Sequence, residues 1–267
     1  GDVYKRQIEH SDVSFHPSDE DDCACLLYTS GTTGSPKGVM TSHRSMINNT
    51  MLQLLQGAAV SMRSTRLGTD WTVNKPTSLL TSPLFHVSGL SAGVVTALFA
   101  GTTTYIYEGR FDPQNILRVI DKYKITSWGG AVPTALKRVL DEAPNHNLDY
   151  ESMLVVGGGG APMPETLIAR TKQIFKNVEH NFGYGYGLTE SGAITVVNWG
   201  DDLNNFPRSP GKPMPTIEVK LIDDDGNEIF DDEMEGEICV RSPSVMLGYY
   251  KNQIESKKSL NKDRFLS

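Results

Sequence analysis

The chain of 267 residues carries 25 Lys+Arg against 32 Asp+Glu, a formal charge of −7 without a basic cluster, which argues against a phosphate-neutralising nucleic-acid surface. With 38% hydrophobic and 21% charged residues the composition is that of a globular protein, and a chain this long buries roughly 70–75% of its unfolded surface. Three cysteines make no disulfide framework and fit a reducing compartment.

Gly1–Gln7 carry no usable pattern, and the first 20 residues are left unassigned. The start without methionine, together with the stop at Ser267 in mid-pattern, reads as a fragment. The acidic clusters Asp19–Asp22, Asp223–Asp225 and Asp231–Glu235 read as solvated loops without calcium-ligand spacing. Cys23 and Cys25 stand at a strand start with no further His/Cys cluster, so no zinc site is expected.

Ala24–Tyr28 is an apolar run entering a Gly/Ser/Thr-rich loop, the pattern of a buried strand. Ser42 is placed to cap a helix reaching about Gln56, with Met46, Ile47, Met51, Leu54 and Leu55 at helical spacing. Strand and helix patterns then alternate: strand Thr77–Thr81, helix Val87–Ala100, strand Thr102–Tyr107, helix Pro113–Tyr123, strand Ile125–Trp128, helix Pro133–Leu140, strand Met153–Val156, helix Pro164–Phe175. The stretch 87–100 is the longest apolar one, but its Ser, Thr and Gly residues keep it short of the ~18 apolar residues a membrane span needs, so no integral membrane segment is expected. This rhythm predicts an α/β fold: a βαβ-type layered sheet-and-helix region over 21–190. From 191 to 267 the strands Ala193–Val197, Thr216–Ile222 and Glu237–Val240, with a hairpin signal at Asp225-Gly226, predict a β-rich subdomain.

The chemistry concentrates in a few strings. Thr29, Ser30, Gly31, Thr32, Thr33, Gly34 and Lys37 combine hydroxyls, glycines and a lysine directly after the first strand. Glycines let successive N–H groups converge on one anion, hydroxyls add donors, and the lysine supplies a point charge, so a polyphosphate is the ligand this loop suits. It is not a Walker loop, since Pro36 precedes Lys37. The whole string Tyr28–Gly38 resembles the phosphate loop of the adenylate-forming (AMP-binding) superfamily, which includes acyl-CoA synthetases, luciferases and adenylation domains.

Further strings match that superfamily in order. Pro83–Gly89 resembles the motif whose histidine, here His86, sits between the acyl pocket and the tunnel for the incoming thiol. Gly157–Pro162 resembles a strand-end turn whose backbone, here Gly159, Gly160, Ala161 and Pro162, borders the adenine and the substrate carboxylate. Gly185-Tyr186-Gly187-Leu188-Thr189-Glu190 is a second strong match. The resemblance implies that Tyr186 stacks on adenine between Gly185 and Gly187, Thr189 touches the α-phosphate and Glu190 holds Mg²⁺. Gly236–Tyr250 looks like the strand and turn ending the large domain, and Asp263–Ser267 like the approach to a ribose-binding segment. Pro83–Gly89 and Ser42–Arg44 are most similar to bacterial fatty-acyl-CoA synthetases.

The resemblance therefore implies an ATP-dependent acid–thiol ligase using Mg²⁺, with coenzyme A and a carboxylic acid, a medium- or long-chain fatty acid, as co-substrates. Lys37, His86, Thr189 and Glu190 are the catalytic candidates. The small domain with the adenylation lysine is missing from the match, so the chain alone is expected to turn over little. Absent targeting signals and intracellular ATP and coenzyme A imply a cytoplasmic location. Two alternatives stay open: an adenylating enzyme with a carrier-protein thiol as acceptor, and a nucleotide-binding protein without catalysis.

Overall fold

The computed structural model describes residues 18–29, 35–68, 76–230 and 234–267. Gly1–Gln7, the loop residues 30–34 and the start of the acidic run at Asp231 lie outside these described residues.

Strands β1 (Cys23–Thr29) and β2 (Lys37–Ser42) form an antiparallel hairpin whose register sets Thr29 opposite Lys37. β2 runs directly into α1 (His43–Arg66). Ser42 caps it, its hydroxyl accepting from the Ser45 N–H at 3.1 Å, which satisfies one of the donors a helix start leaves orphaned. The helix runs on to Arg66, past the Gln56 predicted from apolar spacing. Its buried face is partly polar: Asn49, Thr50 and Ser64 are buried beside Leu52 and Val60, and hydrophobic periodicity alone does not register such a face.

The main sheet is built from β3 (Thr77–Leu80), β4 (Thr103–Ile106), β5 (Ser127–Ala131), β6 (Val155–Gly159), β7 (Phe182–Tyr186), β8 (Val196–Trp199) and β9 (Lys212–Pro213), in the order β4-β3-β5-β6-β7-β8-β9. Neighbours from β4 to β7 pair in parallel, and β8 and β9 continue the sheet antiparallel. Between β3 and β4 lie α2 (Val87–Gly89), a π-helical turn (Leu90–Val95) and α3 (Thr96–Ala100). The later crossovers are α4 (Pro113–Tyr123), α5 (Pro133–Glu142) and α6 (Glu165–Ile174). The β3–β4 connection advances one way along the sheet and those through α4 to α6 the other. Right-handed crossovers then require the two helix groups to cover opposite faces. In keeping with that, α4, α5 and α6 pack in series, while α1 packs on the α2–α3 segment.

The helix predicted over 87–100 is interrupted because it approaches the end of β3 closely. A Cβ at Gly89 would lie 2.0 Å from the Pro83 carbonyl oxygen, and one at Gly93 2.7 Å from Leu80 Cδ1. From the first residue of α3 the Thr96 hydroxyl donates back into the π turn, to the Ser91 carbonyl at 3.1 Å; π geometry occurs mostly as such single turns within helices.

Two strand predictions are shifted. The patterns Ile125–Trp128 and Met153–Val156 become β5 and β6, which run on into the glycines. Ile125 and Met153 are fully buried below the ladder, whereas Gly129, Gly130 and Gly157–Gly159 carry no strand propensity to signal themselves. The predictions Ala193–Val197 and Thr216–Ile222 begin too early, because Ala193 (φ 115) and Thr216 (φ 71) sit at positive φ, which breaks extended backbone for a residue with a Cβ.

Residues beyond 190 contribute to all three sheets. β8 and β9 extend the main one, with α7 (Asp201–Asn205) between them. β10 (Glu218–Ile222), β11 (Glu228–Ile229) and β12 (Glu237–Arg241) form a second. The hairpin signalled by Asp225-Gly226 is the β10–β11 turn, with Gly226 at φ 83 and Asp223 Oδ1 accepting from the N–H groups of Asp225 and Asn227. β13 (Gly248–Tyr249) adds a third strand to the β1–β2 hairpin, and α8 (Gln253–Ser259) follows it.

One core lies under α4–α6, where Ile116, Ile120, Leu136, Leu140 and Ile168 meet Trp128, Val156 and Phe182. A second joins the hairpin to the β-rich end through Val39, Leu52, Val240, Met246, Tyr249 and Leu266. Each fully buried side chain of this size contributes about 1.5–3 kcal/mol. Among the described residues no helix is long and apolar enough to cross a membrane.

Candidate functional site

The carboxyl ends of β6 and β7 lie side by side, with Gly157 opposite Gly183, Gly158 opposite Tyr184 and Gly159 opposite Gly185. Two strings far apart in sequence are thereby fused into one surface nearly free of side chains. The close approaches require it: a Cβ at Gly183 would fall 1.8 Å from the Trp199 ring, and one at Gly187 1.6 Å from the Ala193 carbonyl oxygen. Gly160, at φ 79, turns the chain out of β6, and Gly160, Ala161 and Pro162 are exposed at its mouth. Tyr186 is half-buried at the end of β7, its phenol pushed up by burial and then by the Glu190 charge. Tyr184 points away to a structural task, its hydroxyl near the carbonyls of Pro207 and Ser209, both at 2.8 Å.

After β7 the chain makes a tight turn in which Ser191 N–H and Gly192 N–H donate to the carbonyls of Leu188 and Thr189. The segment 244–250 fastens this turn to the first hairpin. Met246 N–H donates to the Glu190 carbonyl at 2.8 Å, Leu247 N–H to that of Met40 at 2.9 Å, and Tyr250 N–H to that of Gly38 at 2.7 Å. The Ser45 hydroxyl donates to the Ser244 carbonyl at 2.7 Å, tying the same segment to α1.

This stitching brings the candidate charges together. The Tyr249 hydroxyl donates to Glu190 Oε1 at 2.9 Å. The Lys37 ammonium stands 4.8 Å from the centre of the same Tyr249 ring and pairs with Glu255 Oε2 at 3.1 Å. Lys37 is 12% exposed and Glu255 24%. Burial, then the Glu190 charge and hydrogen bond, push the Tyr249 phenol up to about 12. Lys258 and Lys37 hold the Glu255 carboxyl below its usual range. Residues 30–34 of the loop lie outside the described residues, but its two posts, Thr29 and Lys37, are paired across the hairpin. The Thr29 hydroxyl is buried without a hydrogen-bond partner among the described residues.

His86 stands on the β3 crossover. Its Nδ1 accepts from the Ser88 N–H at 3.2 Å and caps α2, leaving the ring exposed. No hydrogen bond among the described residues joins it to Lys37, Thr189 or Glu190. Beside it opens a cavity of about 340 Å³ lined by Ser82, Pro83, Phe111, Gly130, Val132 and Arg138, among others. It lies beyond the carboxyl ends of β3 and β5, where successive connections leave in opposite directions; open α/β sheets bind ligands in that crevice.

The donor set suits a phosphate-bound magnesium ion. Among the described residues no group of three His, Cys, Asp or Glu side chains is placed to enclose a metal. Glu190, a hard carboxylate that accepts from the Tyr249 hydroxyl, fits the kind of site in which Mg²⁺ is held by one or two carboxylates with waters and substrate phosphates. Sequence reasoning passed over Tyr249 and Glu255. Tyr249 was visible within the string Gly236–Tyr250, but its partners depend on β13 pairing with β2, which no local pattern announces.

The profile of the AMP-binding enzyme family matches residues 3–250. The chain is 34% identical over 247 residues to 4-coumarate--CoA ligase-like 4 of Oryza sativa subsp. japonica, covering 92% of this chain and 42% of the relative. It is 33% identical over 231 residues to the long-chain-fatty-acid--CoA ligase of Salmonella typhimurium, covering 86% and 38%. Among solved structures, o-succinylbenzoate CoA synthetase from Bacillus subtilis, bound with its product analogue, matches with a TM-score of 0.76 at 28% identity over 93% of this chain and 46% of that one. The same synthetase is also known in complex with ATP and magnesium ion. The fold is thus that of the N-terminal domain of adenylate-forming enzymes, and the chain belongs to the AMP-binding enzyme family. It spans about two-fifths of the length of these curated relatives (42% and 38%).

Proposed function

We propose that the chain is the nucleotide- and acyl-binding portion of an AMP-forming acid–thiol ligase, which activates a carboxylic acid with ATP and passes the acyl group to coenzyme A. The observation that carries this reading is the convergence of Lys37 and Glu190 on Tyr249, between the phosphate-loop hairpin and the glycine-lined ends of β6 and β7.

In the first half-reaction the substrate carboxylate attacks the α-phosphorus of ATP and the bond to pyrophosphate breaks, giving acyl-adenylate. The chain's task is to place fixed positive charge and donors where negative charge gathers on the leaving pyrophosphate. Lys37 and the loop residues Thr29 to Gly34 do this on the β- and γ-phosphates, while Thr189 donates to the α-phosphate. Glu190 would hold magnesium, which would supply further charge neutralisation when bound. The adenine lies on Tyr186 against the backbone of Gly159–Pro162, where Gly159 and Gly160 leave room for a ring to approach. In the second half-reaction the thiol attacks the acyl carbonyl and AMP leaves. His86, capping α2 with its ring exposed, borders the path between acyl group and thiol. Both nucleotide substrates are intracellular, which supports a cytoplasmic location.

The acid is a medium- or long-chain fatty acid. The crevice beside β3 is lined by Pro83, Phe111, Val132 and Ala135, and its charged lining residue, Arg138, lies over the Phe111 ring at 5.1 Å. Among the described residues no carboxylate lines it to pair an amino acid's buried ammonium. Thioester formation by the intact protein should therefore be fastest with octanoate or palmitate in a panel that also holds p-coumarate and free amino acids. Turnover confined to p-coumarate would move the substrate to the aryl acids. Adenylation of amino acids alone would contradict the acid–thiol reading.

A further inference from the structure

We propose that Glu255 is an internal counter-ion for Lys37 that competes with the incoming phosphates, so that the phosphate site is held partly closed by the protein's own carboxylate. The proposal rests on the nucleotide-binding reading above and adds a positioning residue to it.

Glu255 is the third residue of α8, whose N-cap is Asn252; the Asn252 side chain accepts from the Glu255 N–H at 3.2 Å. In a capping box a glutamate at this position folds back onto the N-cap N–H. Here that N–H already donates to the Tyr249 carbonyl at 3.1 Å. The carboxylate is instead shared by two ammonium groups, Lys37 on Oε2 at 3.1 Å and Lys258 on Oε1 at 2.8 Å. Lys258 is largely exposed at 69%, whereas Lys37 is mostly enclosed at 12%. Lys37 is therefore presented at the base of the phosphate loop with much of its charge already balanced. An arriving polyphosphate has to draw that ammonium away from Glu255 while tolerating the carboxylate's repulsion. Lys258 can keep the displaced carboxylate neutralised at the surface, so the exchange leaves no bare charge.

The test is the affinity of the intact protein for inorganic pyrophosphate and for ATP, measured by titration calorimetry on wild type, Glu255→Gln, Lys37→Met and the double variant. Glutamine keeps the size and one acceptor but removes the charge, and E255Q is expected to tighten both ligands by about three- to fivefold, the upper scale of a partly exposed ion pair. In the Lys37→Met background the same substitution should change affinity by less than about twofold, because paired residues couple and independent ones add. Thermal unfolding and Glu255→Ala serve as controls for folding, and the alanine variant should tighten binding in the same direction. Unchanged or weaker binding in folded E255Q, or an equal gain without Lys37, would overturn the counter-ion assignment while leaving the nucleotide site in place. Failure of folded wild-type protein to bind either ligand would overturn both.

Discussion

Tyr249 joins two charges that the sequence holds far apart. Its hydroxyl orients Glu190 and its ring lies under the Lys37 ammonium, so it sets the distance between the candidate metal ligand and the candidate phosphate ligand. Its phenol, pushed up to about 12 by burial and by Glu190, stays protonated and donating at physiological pH. Because the folded value lies above the ordinary one of about 10, this hydrogen-bonded form favours the folded state below about pH 10. That contribution fades as pH rises through about 12. Tyr249→Phe should therefore flatten the loss of stability over this alkaline window, as read by denaturant melts at a series of pH values. It should also raise the magnesium concentration needed for half-maximal activity by about two- to fivefold, since second-sphere hydrogen bonds orient metal ligands. An unaltered alkaline profile would remove Tyr249 from the account.

At the scale of elements, the site depends on strands whose ends carry glycine instead of strand-forming residues. Gly183→Ala would drive a Cβ to 1.8 Å from Trp199 and is expected to cost about 3 kcal/mol or more, as overpacking against a fixed ring does. Gly129→Ala, with nothing within 4 Å, should stay within about 0.5 kcal/mol. Gly57, in the middle of α1 and also facing open space, should gain about 0.5–1 kcal/mol as alanine. Equal melting temperatures for the Gly183 and Gly129 variants would show that the β7–β8 contact is looser than described. The glycine ends also explain the limits of the sequence pattern. Alternation and apolar runs locate the strands to within a few residues, but β5 and β6 extend where no side chain is left to mark them. The start of α1 was legible from Ser42, while its second half, with Ser64 buried, was not. The crossover before β4 reads as an ordinary helix until the close contacts of Gly89 and Gly93 are known.

For the whole molecule, the order of the motifs along the chain was legible and their assembly was not. The loop before Lys37, the glycine run of β6 and the turn carrying Thr189 and Glu190 each announce a polyphosphate or a close ligand approach. What unites them is non-local. Parallel pairing aligns Gly159 with Gly185, and the segment 244–250 binds both the turn at Glu190 and the hairpin at Gly38 and Met40. That segment supplies Tyr249 in β13, and α8 just after it supplies Glu255, which stands 218 residues from Lys37 in sequence. The exposed apolar residues Ile47, Met51, Leu55 and Met62 of α1 and Phe85, Leu98 and Phe99 near the β3 crossover belong to the same scale, in a chain covering 42% of one curated relative.

The most direct measurement is acid-dependent exchange of labelled pyrophosphate into ATP by the intact protein, with Lys37→Ala and Glu190→Gln alongside. Exchange should appear with a fatty acid and fall by about a hundredfold or more in either variant, the scale of losing one preorganised charge on the transition state. ATP binding without exchange for any acid, or exchange that both variants leave intact, would contradict the assignment of this site to adenylate formation.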